Sequence, residues 1–448
     1  MRQKRTVQAS LFDLFAGHEI GQELKAMSQW LDEHSALVEL VANDLRRHAV
    51  KETGREGLPA ESVLRCGLLK QHRQLSYEEL AFHLEDSASF RAFARLPLSW
   101  TPKKSVLHKT ISVIGAETWE AINRVVLVSA REEKVETGRM VRVDSTVTAA
   151  LMHEPSDSSL LWDAVRVMAR LLRQADTLAG GFLQIAWHDH QRAAKKRARA
   201  IKFTRGRPNR VPHYRALIKI ARSTLAYADQ AAKQLWQVPD PIAVTLWQGE
   251  FHHYRPLIER IIWQTERRVL CGEQVAAGDK IVSLFEPHAD IIVKGSRDID
   301  YGHKINLTTG RSGLILDMVI EAGNPAYSER FLAMVDRHID FYGEAPHQAA
   351  ADGGYASRNN LSQAKARGVR DMAFHKKAGL RIEDMVKSRW VYRKLRNFRA
   401  GIEAGISCLK RAYGLARCTW RGLDHFKAYV WSSVVAFNLA LFARLKPT

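Results

Sequence analysis

Met140-Val141-Arg142-Val143-Asp144-Ser145-Thr146-Val147 is the stretch on which the reading of this chain turns. It is rich in β-branched residues and alternates apolar with polar positions, so it predicts a strand, and that strand carries an acid. The residues before it have helical spacing instead, as in Leu24, Met27 and Leu31 and then Leu37, Leu40 and Val41. Leu58-Pro59-Ala60-Glu61-Ser62 predicts a helix led in by proline. Ser76-Tyr77-Glu78-Glu79 has the Ser and Glu of a capping box, and a further helix is expected near Ser105, after Trp100-Thr101-Pro102. Short helices with tight connections and clustered Arg and Lys suit a helix-turn-helix DNA reader and equally any small helical bundle. Spacing alone favours the plain bundle.

After the strand, residues 156 to about 275 return to long helical patterns. Within them His188 to Arg210 carries nine Lys or Arg against one acid, Asp189, and is densest at Lys195, Lys196, Arg197 and Arg199. Such a run is usually a solvated face. Here Phe203 and the turn Gly206-Arg207-Pro208 interrupt it, which suits a helix followed by a DNA-contacting loop. Strands return at Asp290 to Val293, His303 to Thr308 and Leu314 to Glu321, the last two joined by the hairpin signal Thr309-Gly310-Arg311-Ser312-Gly313. A helix from Ser328 to Phe341 leads to a small-residue strand, Gln348 to Ala351, ending in Asp352-Gly353-Gly354. A helix and strand from Asn359 to Phe374 and a long helix from about Lys394 to Tyr413 follow.

With the segment 156–280 set aside, strand, hairpin, helix, strand, helix, strand, helix is the element order of an RNase H-like α/β domain. The fold expected is therefore mixed α/β. Residues 1–136 form a helical N-terminal domain, 137–155 the first strand of the catalytic domain, 156–280 a helical basic insertion, and 281–448 the rest of the catalytic domain with the C-terminal helices.

Asp144 then lies on the first strand, Asp352 at the end of the strand after the hairpin and helix, and Glu403 on the last long helix. Three such carboxylates can meet at one sheet edge and hold two divalent ions about 3.5–4 Å apart. Mg²⁺ prefers hard oxygen ligands of this kind. Singly, each acid has a duller reading: a turn cap, an Asp-Gly turn, a solvated helix acid. The helix around Glu403 shifts the balance, because Leu395, Phe398, Ile402, Ile406, Leu409 and Tyr413 form one apolar stripe of 3.6 periodicity. Arg399, Glu403 and Lys410 share an adjacent stripe, roughly a quarter-turn away. That row is either a set of surface ion pairs or an acid holding metal between two cations that grip phosphates.

Sixty-eight Lys and Arg against forty-eight Asp and Glu leave a formal charge of +20 on 448 residues, which points to a polyanionic partner or a need for solubility. A chain this long exceeds one hydrophobic core, so two or three structural units are expected. Cys66, Cys271, Cys408 and Cys418 are scattered, with no CxxC pair, which suggests neither a zinc site nor a disulfide framework and fits a reducing compartment. Gln8, Ser10 and Asp13 interrupt any signal-type apolar stretch at the N-terminus. The longest apolar run, Ala428 to Ala443, contains Ser432, Ser433 and Asn438 and falls short of the roughly twenty residues that span a bilayer, so it reads as a buried helix.

Taken together, Val143-Asp144-Ser145-Thr146-Val147, Pro155-Ser156-Asp157-Ser158-Ser159-Leu160-Leu161, Phe285-Glu286-Pro287-His288, Gly302-His303-Lys304 and Ala351-Asp352-Gly353-Gly354-Tyr355, with Arg399, Glu403 and Lys410 spaced by three and six residues, resemble a bacterial insertion-sequence DDE transposase. The layout is closest to the ISNCY group, and the resemblance covers nearly the whole chain. Gly57 to Val106 also resembles the helical N-terminal domain of such transposases. Related proteins often have Tyr three residues before the Arg, where this chain has Arg396. The resemblance implies an RNase H-like core, Mg²⁺ or Mn²⁺, double-stranded DNA as partner through terminal inverted repeats and target DNA, action as a homodimer or higher oligomer, and a cytoplasmic, nucleoid-associated location. It implies catalytic and metal-ligating roles for Asp144, Asp352 and Glu403, with Arg399 and Lys410 on phosphates. The rival readings are an RNase H-like nuclease without strand transfer, a transposase-derived DNA-binding regulator, and a membrane-surface protein, the last without lipid-anchor signals.

Overall fold

The computed structural model describes residues 19–48, 57–97, 99–294, 298–375 and 379–445. The N-terminal reading at Gln8, Ser10 and Asp13 lies outside the described residues. Seven helices come first among those described: Glu19–Glu33 (α1), Leu37–Arg47 (α2), Ala60–His72 (α3), Tyr77–Asp86 (α4), Ala88–Phe93 (α5), Lys104–Ile111 (α6) and Ala116–Glu132 (α7). Strand Met140–Ala149 (β1) follows, then helices Asp157–Ala179 (α8), Gln191–Phe203 (α9), Arg207–Gln234 (α10) and Pro241–Thr265 (α11). Strands Asp290–Lys294 (β2), Asp298–Thr309 (β3) and Ile315–Ile320 (β4) precede Tyr327–Tyr342 (α12), Gln348–Ala351 (β5), Arg358–Ala366 (α13) and Asp371–Phe374 (β6). Ile382–Met385 (α14), Arg389–Ala412 (α15) and Leu423–Leu445 (α16) close the chain.

The chain divides into two compact units, one of residues 1–150 with 303–448 and one of residues 151–302. In the first unit β1 forms where the alternation predicts it, and β5 lies parallel to it with Val141 opposite Ala349 and Val143 opposite Ala351. β6 continues the parallel set, and β4 pairs antiparallel with β3. The order β4-β3-β1-β5-β6 is that of an RNase H-like core. β5 and β6 are short and buried along most of their length, as parallel strands covered on both faces are.

Helix termini in this unit follow local chemistry. Ser76 and Glu79 cap α4 reciprocally, at 3.1 and 2.7 Å. Ser388 accepts from the Val391 amide at 3.3 Å and starts α15 five residues before the apolar stripe suggests. The apolar helix α16 is long and apolar enough to cross a membrane by length and composition, but it is mostly buried. Its polar residues have protein partners. Gln71 of α3 donates to Ser432 at 2.8 Å, while Asn438 accepts from the Ile315 amide at 2.8 Å and donates to Asn123 of α7 at 2.7 Å. In a low-dielectric interior such groups must be satisfied, so they fix how α16 packs.

The second unit has its own core, built from Leu161, Leu171, Leu217, Ile258 and Ile261 on α8, α10 and α11. The buried Trp247 indole donates to the Leu171 carbonyl at 2.8 Å. α9 is solvated, with only Ala194 and Ile201 buried. The DNA-contacting loop expected after it is reduced to Thr204-Arg205-Gly206, because Gly206 at φ 81° and a proline in the first turn start α10 at once. β3 begins five residues earlier than its alternation suggests. Asp298 to Gly302 pair with β2 in this unit, and their two aspartates disguise the strand.

Candidate active site

Asp144 and Asp352 each follow a residue of one paired couple, Val143 and Ala351, on neighbouring parallel strands. Register therefore brings together two acids that are 208 positions apart. Glu403 comes from α15, which packs on β1, β5 and β6 through Leu395, Ile402 and Leu409. The three side chains grade outward from the sheet, being 15% exposed at Asp144, 40% at Asp352 and 67% at Glu403.

The Arg399 guanidinium stands among them. Its Nη2 is 2.9 Å from Asp144 Oδ2 and 3.4 Å from Asp352 Oδ1, and its Nη1 is 3.2 Å from Glu403 Oε1. The Arg399 Nε is buried without a hydrogen-bond partner. Asp144 also accepts from the Ser145 amide at 2.8 Å. Burial pushes the Asp144 carboxyl above its usual range and the Asp352 charge adds to that, while Ser145 and Arg399 oppose it. Three carboxylates gathered around one guanidinium are hard oxygen donors of the kind that suit a divalent cation. Among the described residues, no three acidic, histidine or cysteine side chains already stand at metal-ligating separations. The cation now serving these three carboxylates is Arg399. Lys410 lies one heptad beyond Glu403 on the same side of α15 and is half-buried.

Several residues that no spacing announces hold this geometry. Arg142, two positions before Asp144, donates to Thr309 at 2.8 Å and to the Phe398 carbonyl at 2.7 Å, so it ties β1 to the turn of α15 that carries Arg399. A Cβ on Gly401 would collide with the Arg142 guanidinium, so glycine there permits the close approach. Behind Asp352, the buried Tyr355 hydroxyl donates to Asn306 at 2.7 Å, Asn306 donates to Glu321 at 2.6 Å, and Arg330 donates to Glu321 at 2.8 Å. The Tyr355 pKa is raised, by burial first and then by the Asp144 charge. His303 contacts the Glu321 carbonyl at 3.1 Å, and Lys304 lies 4.2 Å from the centre of the Tyr327 ring. As neighbours on β3 they leave opposite faces of the sheet: Lys304 meets Tyr327, which packs on Tyr355, and His303 meets Phe426 of α16 with ring centres 4.8 Å apart. Of these, only Tyr355, His303 and Lys304 fall in motifs visible in the sequence.

Lys195, Lys196, Arg197 and Arg199 are not part of this cluster. They lie exposed on α9 in the other unit, where Arg199 faces the exposed Phe203 ring at 5.9 Å.

A family model described as Transposase DDE domain matches residues 296–439, and one described as Transposase domain (DUF772) matches residues 17–113. The first takes in Asp352 and Glu403 and begins beyond Asp144. No curated protein and no solved structure matches the chain.

Proposed function

Because this chain is an insertion-sequence DDE transposase, we propose that Asp144, Asp352 and Glu403 are its catalytic, metal-holding acids and that Arg399 and Lys410 hold DNA phosphates beside them. Enzymes of the family cleave DNA strands at the ends of the insertion sequence and transfer them to a target, with divalent metal. When bound, the metal supplies Lewis acidity and a nucleophilic water at neutral pH. We assign it as Mg²⁺ or Mn²⁺, two ions per site. Both steps are in-line substitutions at phosphorus. In the first, water oxygen forms the new bond and the 3′-oxygen leaves; in the second, the freed 3′-hydroxyl attacks a target phosphodiester and a strand oxygen leaves.

The observation that carries the assignment is the Arg399 guanidinium, within 3.4 Å of all three carboxylates. A cation already binds there, and a guanidinium displaced from carboxylates is suited to grip a phosphate, whose fork geometry it also matches. Asp144 is the anchored ligand and Glu403, on the open side, the adjustable one. The exposed cations of α9 add phosphate contacts that position double-stranded DNA without reading its sequence. The protein works as a homodimer or higher oligomer on terminal repeats and target, in the bacterial cytoplasm and on nucleoid DNA. Membership of the ISNCY group rests on the motifs alone.

The deciding experiment is Asp352→Asn. It removes a charged ligand at a partly exposed position without opening a cavity. Cleavage of end-containing DNA with Mg²⁺ should disappear while melting and gel-shift affinity stay native. Undiminished cleavage by the purified variant would remove Asp352 from the site.

A further inference from the structure

Three exposed large apolar side chains of the second unit lie close together in sequence where α10 ends and α11 begins. Trp236, in the turn Leu235–Gln237, is 67% exposed, and Ile242 and Leu246, one helical turn apart on α11, are 75% and 72% exposed. The opposite face of α11 is the one committed to the core, through Val244, Trp247 and Phe251. The open face continues through Gly249, where a Cβ would meet nothing within 4 Å, and exposed His253. Ile242, Leu246, Gly249 and His253 follow one another at intervals of four, three and four, the seam spacing with which one helix packs along another. A single exposed leucine is ordinary, but three large apolar side chains within eleven residues are not.

The charge around this face says what can cover it. From Gln234 to Tyr254 there is no Lys or Arg, in a chain whose formal charge is +20. The two acids in that span are engaged: Asp240 caps α11 by accepting from the Ala243 amide at 3.0 Å, and Glu250 pairs with Arg170. This stretch of chain offers no cation of its own to phosphate or to an anionic membrane. It is a place where two copies of a strongly basic chain can meet without cation facing cation. We propose that this face of α11 pairs with the same face of a second copy, the helices running antiparallel about a two-fold axis between Leu246 and Gly249. Each Leu246 then seats over the partner's Gly249, which has no side chain to obstruct it, and each Ile242 lies beside the partner's His253. A two-fold pairing of this kind is self-complementary and closes, so it yields a dimer and not a filament.

The test is sedimentation velocity of the full chain, without DNA, over a wide concentration range. Wild type should show a monomer–dimer equilibrium. Ile242→Glu with Leu246→Glu should raise the dimer Kd by at least about tenfold, because a few apolar side chains carry most of such an interface. Gly249→Trp adds apolar surface but fills the seat, so it should weaken association as well. Both variants should keep the wild-type melting profile and DNA affinity, since these positions are exposed and carry no cation. A wild type that stays monomeric at every concentration overturns the proposal. So does a Gly249→Trp chain that associates more strongly than wild type, which would make the patch merely sticky. Neither result bears on the acids of the other unit, whose test is cleavage.

Discussion

At the scale of single residues, Asp144 illustrates why an ion pair is a poor guide to stability. It is bonded to Arg399 at 2.9 Å, yet its carboxyl is pushed up because burial and the neighbouring Asp352 outweigh that bond. A group whose folded pKa is raised adds stability that is fully present below its unfolded pKa and is lost as pH rises through the folded value. At neutral pH the charged Asp144 therefore costs stability. Asp144→Asn should melt no lower than wild type at pH 8, with any advantage shrinking as the buffer is taken toward the carboxylate range, while cleavage falls by about a thousandfold or more. A variant that melts well below wild type at pH 8 would show that the ion pair dominates. Asp144 was legible from alternation in β1 and Glu403 from the apolar stripe beside it. Arg142, Asn306 and Glu321 were not, because what makes them matter is a partner elsewhere in the chain: Phe398 for Arg142, Tyr355 for Asn306, and Arg330, beyond the hairpin, for Glu321.

At the scale of elements, the setting of α15 against β1 fixes where Glu403 and Arg399 point. Gly401→Ala forces its new methyl into Arg142, which two hydrogen bonds hold in place, so it should cost about 1–3 kcal/mol in denaturant titration and lower kcat. Gly405→Ala, one turn on and with nothing within 4 Å, is the control and should be neutral or stabilising by up to about 1 kcal/mol. Equal effects of the two would mean that Arg142 does not govern the helix. α9 makes a different kind of prediction. Replacing Lys195, Lys196, Arg197 and Arg199 together with Gln should leave melting unchanged, weaken binding to specific and random DNA alike, and flatten the slope of log affinity against log salt by up to about 3 to 4. An unaltered slope would make those charges a solvated face only. Element types were readable wherever periodicity was strong, as in β1, α12 and α15. Ends set by one side chain were not: Ser388 begins α15 ahead of its stripe, and the first five residues of β3 are a strand only because β2 pairs with them.

At the scale of the whole molecule, acid lability follows from two histidines on opposite flanks of the first unit's sequence. Burial pushes His72 and His338 down from 6.5 to about 4, with the Arg73 and Arg444 charges adding to it at His72 and the Gly138 backbone opposing it at His338. For a lowered base the unfolded chain takes the proton first, so stability is full above pH 6.5 and is lost as pH falls toward 4. The melting temperature should be flat above pH 7 and drop steeply by pH 5, by several kcal/mol in all. His338→Phe, which keeps the ring stacked on Tyr342, should remove a large part of that drop; a profile as steep as wild type would assign the lability elsewhere. The pairing of β1 with β5 carries a consequence of another kind, in time. At the roughly 5–20 residues per second of synthesis, Asp144 leaves the ribosome about 10–40 s before Asp352. Over that interval the insertion between them has everything it needs to fold, and β1 gains β3 as a neighbour while its other edge waits for β5. The sheet is thus completed after the insertion, and a nascent chain cut short inside that window carries a folded insertion and one of the three proposed acids.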